Sequence, residues 1–279
     1  MRIRQATMKD KAAIVRLCKR SVRNDYVLLF LDGFLKDGGM FIALDGKRVV
    51  GMMKYTKCIG GDGWLGAART DPKYRRRGVA SSIMEACMKH AASQGAKFVR
   101  SWTSRTNKSA MMAGQHAGFR EVGAFTRVRK RVKRTDMNCK LWQERSISRI
   151  WPLIRNSKLM KDSGFYAPIP FDFVKVTRKV LSEAVSNGWI YRIDDNICFI
   201  DEDAWGDEWK DVLEFTPLTG DVKLLLREGL LFTQDKGKKE LHIFLPFNSP
   251  SLRTAIRMGF KVVSWGREAV LFEKAVKLT

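Results

Sequence analysis

The stretch RTDPKYRRRGVA, residues 69–80, places three consecutive arginines directly before a glycine. The segment GWLGAART that leads into it predicts a strand, and apolar residues spaced by four after it predict a helix from Val79 to about Ser93. The first N–H groups of a helix have no intrahelical partners and carry a partial positive charge. Glycine lets the backbone approach a ligand closely, and arginine presents donors that match phosphate oxygens. The stretch therefore predicts a phosphate-holding loop.

The positive charge of the chain is concentrated in its first half. The formal net charge is +23. Residues 1–135 carry 30 Lys and Arg against nine Asp and Glu, whereas residues 136–279 carry 22 against 20. This asymmetry indicates a polyanionic partner or ligand of the first half. A generally basic proteome explains the total charge equally well, but it does not explain the clustering at residues 75–77.

Composition excludes several classes of protein. No run of 18 apolar residues occurs, so no membrane span is expected, and the first 17 residues lack the apolar core of a signal peptide. The five cysteines are scattered without a CxxC pair, and the three histidines are far apart. A metal site or a disulfide framework is therefore not expected, and the default location is a reducing cytoplasm.

Strand and helix signals alternate in the first half. RIRQA predicts a short first strand, and Thr7 with Asp10 forms the capping pattern of a following helix. Two apolar runs around Asp45-Gly46 predict a hairpin. The other predicted elements are the strands KFVRSWTS, FREVG and FTRVRKRV and a helix at about 108–117.

The second half repeats this order after a charged segment. RVRKRVKRTDMN, at 127–138, leads into a predicted linker. The predicted elements beyond it are helices at about 148–160 and 172–187, the hairpin WIYRIDDNICFI, strand VLEFTPL, a helix at about 221–231, strand ELHIFLP, a helix at about 250–258, and strands FKVVSW and AVLFEK. Asn107 and Asn248 each precede a Gly-Phe pair by eleven positions, which favours an internal duplication.

The segment RRRGVA fits the pattern Arg/Gln-x-x-Gly-x-Gly/Ala of the GNAT superfamily of acyl-CoA N-acyltransferases. The surrounding order of strand, Asp71-Pro72, loop, helix, strand, Asn107 and Gly-Phe resembles that family over residues 1–130. The resemblance implies an α/β fold of the mixed-sheet, α+β kind, with two tandem GNAT-like domains whose mostly antiparallel sheets are flanked by helices. The predicted domains are 1–135 for acyl-CoA binding, a linker at 136–145, and a degenerate copy at 146–279.

What the resemblance implies for the site can be carried over position by position. The backbone amides of the arginine-glycine loop would cradle the pyrophosphate of acetyl-CoA, and the strand before it would pair with the pantetheine arm. Asn107 would face the pantetheine. The residues predicted to bind the co-substrate are Ala68, Arg69, Thr70, Arg75, Arg76, Arg77, Gly78, Val79, Ala80 and Asn107.

The implied reaction is direct attack of an amine on the thioester. Family members often protonate the departing thiolate with a tyrosine of the last helix, but this sequence has Gly114 at that position and Ala255 in the second half. Neither strand near the site carries an acidic residue that could serve as a base. Ser109 and His116 are candidates by proximity alone, so no catalytic residue is assigned.

The second half lacks the phosphate loop. Only TGD separates its strand from its helix, and Asp221 at the helix start would repel a pyrophosphate. One acyl-CoA site per chain is therefore expected, as in tandem GNAT proteins such as mycothiol synthase. The acidic run at 194–214, with Trp205 and Trp209, is either a cation-binding surface for an amine substrate or a solvated loop.

The basic run RVRKRVKR, residues 127–134, keeps a second class of function open. As a strand it would place Arg127, Arg129, Arg131 and Lys133 on one face, either to bind nucleic acid or to protect an exposed sheet edge. The alternative to an acetyltransferase is therefore a non-catalytic GNAT-fold protein that binds nucleic acid or a protein. The sequence leaves the acceptor amine and the oligomeric state open.

Overall fold

The computed structural model describes residues 1–169, 172–202 and 209–277. The chain forms two compact units. Unit 1 consists of Met1–Ser101, Lys108–Arg120 and Phe272–Thr279, and unit 2 consists of Trp102–Asn107 and Glu121–Leu271. No helix among the described residues has both the length and the apolar character that a membrane crossing requires.

The sheet strands of the N-terminal part run antiparallel from β1 to β4, and β5 then joins β4 in parallel. These strands are β1 (Arg2–Gln5), β2 (Met40–Asp45), β3 (Arg48–Lys57), β4 (Gly63–Thr70) and β5 (Phe98–Ser104). The helices are α1 (Lys11–Ser21), α2 (Val27–Lys36), α3 (Val79–Ser93) and α4 (Lys108–His116). The hairpin predicted around Asp45-Gly46 is confirmed as the turn between β2 and β3, and Gly46 adopts a φ of +55° there.

Helix α2 is the main element of unit 1 that the sequence analysis does not predict. Val27, Leu31 and Leu35 follow one another at intervals of four and are all buried. They join α1 and one face of the sheet in a single apolar cluster, in which Met52 of β3 is nearly inaccessible. The periodicity is present in the sequence, but three glycines at 33, 38 and 39 obscure it.

Helix α3 packs on β3 at very short range. A Cβ atom at Gly51 would come 2.5 Å from Val79 Cγ1 and 2.9 Å from Ile83 Cδ1, so only glycine fits there. Val79, the first residue of α3, is buried. The start of the helix is therefore fixed against the sheet, and with it the loop that precedes it.

The second half contains the remaining elements. They are β6 (Arg120–Arg131), β7 (Trp142–Gln143), α5 (Ile147–Asn156), α6 (Lys158–Asp162), β8 (Tyr166–Pro168), β9 (Phe173–Lys175), α7 (Arg178–Ser186), β10 (Ile190–Ile193), β11 (Asn196–Asp201), β12 (Val212–Thr219), α8 (Val222–Asp235), β13 (Glu240–Pro246), α9 (Pro250–Arg257), β14 (Lys261–Val262) and β15 (Ala269–Ala275). The order across the sheet is β6-β13-β12-β11-β10-β7, with β14 also paired to β6. Only the β12–β13 pair in this order is parallel.

Several predicted elements differ from the observed ones. The two strands predicted at 119–132 are one strand, β6. The helix predicted at 148–160 breaks at Ser157, whose side chain caps α6 by accepting a hydrogen bond from Met160 N. The helix predicted from 172 begins only at Arg178, because Phe173–Lys175 pairs with β8 as a strand.

The two halves of the chain share an order of elements that is consistent with the predicted repeat. In the first, α3 connects the parallel strands β4 and β5, and Asn107 precedes α4. In the other, α8 connects the parallel strands β12 and β13, and Asn248 lies just before α9. The predicted mixed α/β fold, mostly antiparallel and flanked by helices, is confirmed.

The units do not follow the predicted division at 136–145. β6 pairs with β13 over seven residues, from Phe125 opposite Pro246 to Arg131 opposite Glu240, and this pairing groups it with the second half of the chain. The chain from Phe272 onward belongs to unit 1. Pairing between strands that are distant in sequence, which composition does not reveal, sets these boundaries. Descent of the halves from a duplication stays a prediction.

Arg127, which the basic run predicts to lie on a charged strand face, is buried instead. It forms an ion pair with Glu214, and its Nη2 lies 2.8 Å from His242 Nδ1. Burial and the charge of Arg127 lower the pKa of His242 to about 4. The ring is therefore neutral at pH 7 and can accept from Arg127 at Nδ1 while donating from Nε2 to Glu240, 3.0 Å away. This arginine belongs to the interior and is unavailable to a ligand.

Unit 2 has its own apolar core, formed by buried side chains of β11, β12, β13 and α8. Truncating Ile243 tests how much this core contributes to stability. Ile243 is fully buried in it, whereas Ile256 on α9 is 44% exposed. Ile243→Ala should lower the free energy of unfolding by about 2–5 kcal/mol because it removes buried methyl groups and leaves a cavity. Ile256→Ala should change it by less than about 0.5 kcal/mol. Urea unfolding followed by circular dichroism measures both, and equal effects would contradict this packing.

Candidate active site

The backbone of the loop between β4 and α3 is left-handed at two positions. Arg76 and Gly78 both have positive φ, +62° and +75°. Gly78 immediately precedes α3, and its carbonyl accepts the helix bond from Ser82 N at 3.0 Å. A Cβ atom built on Gly78 would meet nothing within 4 Å. The loop therefore leaves open space directly before the amino terminus of a 15-residue helix.

The three arginines of this loop point their charge outward. Arg75, Arg76 and Arg77 are all exposed. Among the described residues, none of them forms an ion pair with a carboxylate. Arg77 lies over the ring of Tyr74, with its guanidinium carbon 5.5 Å from the ring centroid. Positive charge that is not neutralised by the protein thus surrounds the start of α3, where the helix dipole adds to it.

Asp71 anchors the other end of the loop. It is buried and accepts hydrogen bonds from Arg20 Nε at 3.0 Å, Arg48 Nη2 at 2.8 Å and Lys73 N at 3.1 Å. Burial opposes ionisation of this carboxyl, but these donors, Arg48 first, outweigh it and lower its pKa. The loop is therefore tied to α1 and to the β2–β3 hairpin by one ionised carboxylate.

Tyr74 makes a second attachment to the same hairpin. Its hydroxyl donates to Asp45 Oδ2 at 2.7 Å, and the guanidinium of Arg48 lies 5.9 Å from its ring centroid. The roles of Asp71 and Tyr74 are not predicted from the sequence. An aspartate before a proline at the end of a strand is a turn signal that could have indicated the first of them.

Strand β4 carries a bulge just before this loop. Met52 is opposite Arg69 and Lys54 is opposite Gly66, so Met53 faces two residues of β4. One of the two is Ala67, whose φ is +53°. Bulges bend a strand and often occur beside active sites. Because alanine rather than glycine occupies this position, the sequence gives no sign of the bulge.

The parallel pairing of β4 with β5 is short. It includes only Gly63 opposite Val99 and Trp64 opposite Arg100, although β4 continues to Thr70. The edge of β4 from Leu65 to Thr70 therefore has no partner strand on the β5 side among the described residues. Ala68 on this edge is exposed. Backbone N–H and C=O groups that lie on such an edge can pair with an extended ligand.

A buried arginine fixes the point where the two strands meet. Arg100 is 2% exposed and forms ion pairs with Asp62 at 2.9 Å and with Glu273 at 2.7 Å. Asp62 also accepts a hydrogen bond from Phe98 N at 3.2 Å. These contacts hold the first residues of β4 beside β5, so the two strands separate beyond a fixed point.

The side chain of Arg69 stabilises the fold of unit 1. Its guanidinium forms two hydrogen bonds to Asp25, at 2.7 and 2.5 Å, and lies 5.4 Å from the ring centroid of Tyr26. Asp25 in turn accepts from Val27 N at the start of α2. The pair therefore fastens α2 to β4. The guanidinium also donates from Nη1 to Ala68 O at 2.8 Å, so the side chain is fully committed to the fold.

The sequence singles out four positions at or just before α4 as candidate contacts or catalytic groups, and they do not converge on one site. Asn107 is exposed, belongs to unit 2, and donates from its backbone to Ser104 O at 2.8 Å. A Cβ on Gly114 would lie 3.9 Å from Phe272, so a side chain there would point at that ring. His116 and Ser109 are exposed on α4. None of these positions gives geometric evidence for a catalytic acid or base.

The corresponding junction in unit 2 is closed to anions. Asp221 caps α8 by accepting hydrogen bonds from Lys223 N at 2.8 Å and Leu224 N at 3.4 Å. These are the amides that a phosphate would need. Gly220 before it has a φ of +99°, and a Cβ there would collide with Asn196. The segment TGD predicts that unit 2 has no phosphate loop, and in the structure the Asp221 cap occupies the amides that such a loop would offer.

The space where β12 leaves β13 is filled by the chain itself. Parallel pairing ends at Glu214 opposite His242. Beyond it, Thr216 Oγ1 donates to Pro168 O at 2.9 Å and Ser157 Oγ donates to Leu218 O at 2.9 Å. The cavity that remains between this inserted segment and the strands has a volume of about 10 Å³. A cavity of this size has room for about one water molecule, so no pantetheine chain fits.

The acidic run 194–214 is only partly described, because residues 203–208 lie outside the described residues. Its described ion-paired members are Asp195 with Arg192, Glu202 with Lys236, Asp211 with Lys239, and Glu214 with Arg127. These carboxylates are engaged within the unit. Among the described residues, no cluster of three metal-ligating side chains occurs.

Comparison with known proteins agrees with the geometry of unit 1. Residues 11–119 match the model of the acetyltransferase (GNAT) family. No curated protein matches the chain by sequence.

Solved structures resemble the chain over nearly its whole length. A GCN5-related N-acetyltransferase from Sphaerobacter thermophilus is 13% identical with a TM-score of 0.62, and the match covers 99% of this chain and 96% of that one. Another from Kribbella flavida is 13% identical with a TM-score of 0.50, covering 98% of this chain and 70% of that one. At such identities the likeness shows the fold alone.

The anchoring carboxylate Asp71 can be tested through the pH dependence of stability. Asp71→Asn should lower the free energy of unfolding at pH 7 by about 1–3 kcal/mol, because it weakens charge-assisted bonds to two arginines. Since folding lowers the pKa of Asp71, its contribution is complete above the ordinary aspartate range and disappears as pH falls through the folded pKa. The difference between wild type and variant should therefore shrink below about pH 4.

Urea denaturation at pH 7 and at pH 3.5 measures this difference. Asp45→Asn is the matched control, because Asp45 is an exposed carboxylate that accepts a single bond from Tyr74. If the Asp71→Asn defect stayed constant with pH, the ionised carboxylate would not be what holds the loop.

Proposed function

We propose that the chain is an N-acetyltransferase that transfers the acetyl group of acetyl-CoA to a primary amine, with one site per chain in unit 1. The observation that carries this proposal is the open, positively charged loop at the start of α3. Gly78 has a positive φ and open space before it, and the adjacent arginines have no carboxylate partner among the described residues.

The loop suits the pyrophosphate of coenzyme A. The backbone amides from Arg75 to Ala80 would hold the phosphate oxygens, with the side chains of Arg75, Arg76 and Arg77 adding charge. Val79 contributes its amide while its side chain anchors the helix. An acidic cap, as at Asp221 of unit 2, is absent from this position, which supports a single site per chain.

The open edge of β4 suits the pantetheine arm. Ala68, Arg69 and Thr70 would pair with it as an added strand, and the bulge at Ala67 turns the strand just before this segment. An amide of this edge could stabilise negative charge that develops on the thioester carbonyl oxygen. That Asn107 faces the pantetheine rests on the family resemblance alone and stays a prediction, because Asn107 belongs to unit 2.

The acceptor must lose a proton before it attacks. A primary amine like that of lysine has a pKa near ~10.4, so the neutral form is scarce at pH 7. No side chain of the described site is placed to remove that proton, and we assign no catalytic base or acid. The thiol of coenzyme A resembles cysteine, with a pKa of about 8.5, so its thiolate can depart near neutral pH without a fixed acid.

The five cysteines fit a reducing compartment. All are free thiols. Proteins of oxidising compartments commonly use cysteines as disulfides, so we place the reaction in the cytoplasm.

Gly78→Glu should abolish binding of acetyl-CoA, because it places a negative side chain in the open space before α3. Isothermal titration calorimetry of the wild type should give one site per chain. The matched control is Gly95→Glu, at the other end of α3. Gly95 also has a positive φ, +73°, and a Cβ atom built on it would likewise meet nothing within 4 Å, so the strain is similar and only the location differs.

A stoichiometry of two, or equal binding by both variants, would contradict the assigned site. Binding of acetyl-CoA without release of free thiol in the presence of spermidine, lysine peptides and other primary amines would favour the non-catalytic alternative.

The pH profile tests whether a dedicated acid exists. With an accepted amine, kcat/KM should keep rising with pH across the range from pH 6 to 10, because the amine deprotonates with a pKa near ~10.4; thiol release measures it. A steep fall above about pH 8–9 would reveal an acid. Gly114→Tyr should not raise the rate, because a side chain at that position points at Phe272, whose ring would lie 3.9 Å from its Cβ atom.

A further inference from the structure

Unit 2 contains a groove between the chain that follows β6 and helix α8. Its volume is about 260 Å³. The basic side chains that line it are Lys130, Arg131, Lys133, Arg134 and Arg227. Apolar side chains, among them Val132 and Leu230, line the rest of it. We call this feature the basic groove. The proposed acetyltransferase site does not use it.

Much of the charge in the basic groove is not neutralised by the protein. Lys133 and Arg134 are exposed and form no ion pair among the described residues. The side chain of Arg131 is 82% exposed, and its one carboxylate contact, to Glu240, is 3.4 Å long. Lys130, by contrast, donates to Met258 O at 2.5 Å and is committed to the fold.

Two of the acidic groups near the groove are engaged elsewhere, and a third, Asp136, is exposed between the lining residues Thr135 and Met137 but is outnumbered by the exposed cations Arg131, Lys133 and Arg134. Glu228 is buried, pairs with Arg227 at 3.1 Å and accepts from Lys140 N at 2.7 Å. Asp235 accepts from Cys139 N at 3.3 Å. The groove therefore presents a net positive field to an incoming ligand.

The groove is also held in shape by the backbone. Val132 N donates to Lys239 O at 3.0 Å and continues the pairing of β6. Thr135 then forms two hydrogen bonds with the side chain of Gln234 on α8, each 2.9 Å long. Lys133 and Arg134 lie between these two attachments. A preformed site loses less conformational entropy when it binds.

We infer that the basic groove binds single-stranded nucleic acid. Its cations follow one another along a single segment of chain, which complements a linear polyanion. The volume falls below the roughly 300–1,000 Å³ of pockets that enclose small ligands, so the groove holds a section of a longer molecule. Arginine planes can stack on bases, and the apolar lining can receive sugar and base faces. Because none of the described residues that line the groove is aromatic, binding depends on contacts to the phosphate backbone of the nucleic acid and has little sequence preference.

The test uses the full chain and a fluorescein-labelled 20-nucleotide oligouridylate, with fluorescence anisotropy from 50 to 200 mM KCl. If four cations contact phosphates, the slope of log K against log salt should be about −3, which is a loss of about 50-fold over that range. Lys133→Glu with Arg134→Glu should weaken binding at least about tenfold and reduce the slope by about 1.4. If reversing both charges impairs folding, the double variant Lys133→Gln with Arg134→Gln, which only removes them, replaces it in the same measurement.

The matched control is Lys158→Glu with Lys161→Glu. These lysines are exposed on α6 of the same unit, do not line the groove, and give the same change in net charge. The control should retain most of the binding. Equal losses in both pairs, or no loss in the groove pair, would overturn the inference. Displacement of the oligonucleotide by poly-glutamate at equal charge concentration would also overturn it, in favour of an acidic polypeptide.

Nucleic-acid binding by the basic groove and acetyl-CoA binding by unit 1 can be tested independently of each other. The groove variants should bind acetyl-CoA as the wild type does, because the basic groove shares no residue with the loop at 75–80. An oligothymidylate probe of the same length distinguishes DNA from RNA as the preferred strand.

Discussion

The separation of β4 from β5 is the constraint on which the candidate site depends. Two parallel residue pairs hold the strands together, and buried Arg100 fixes that point through Asp62 and Glu273. Beyond it, the bulge at Ala67 turns β4, and no described strand pairs with its edge on the β5 side. In unit 2 the same separation exists between β12 and β13, but the chain fills it. An open site therefore requires both the divergence and the absence of a filling segment.

The arginines of unit 1 fall into two groups: those that pair with carboxylates of the protein and those that do not. Arg48 and Arg69 pair with buried aspartates and fix the fold around the site. Arg75 and Arg76 have no carboxylate partner among the described residues. Leaving cations unpaired costs stability through mutual repulsion, and a bound polyanion removes that cost. The same contrast separates buried Arg127 from exposed Arg134 within one basic run.

A single residue at the start of a helix decides whether its first amides are available to an anion, as α3 and α8 show. Asp221 satisfies the first amides of α8 with its own carboxylate, and its negative charge opposes a bound phosphate. At α3 the equivalent place is occupied by Gly78, which has no side chain to offer. Capping by the protein and binding of an anion are alternative ways to satisfy the same N–H groups.

Local signals determined the loop, the hairpin at Asp45-Gly46 and most helices and strands, because turn chemistry and apolar periodicity act over a few residues. The loop at 75–80 could be located for the same reason. The tertiary structure alone decided what depends on distant strands. It grouped β6 with β13, bent β4 at an alanine, buried Arg127 against Glu214, and turned position 114 toward Phe272. Each depends on pairing or packing between residues far apart in the chain, which no local pattern records.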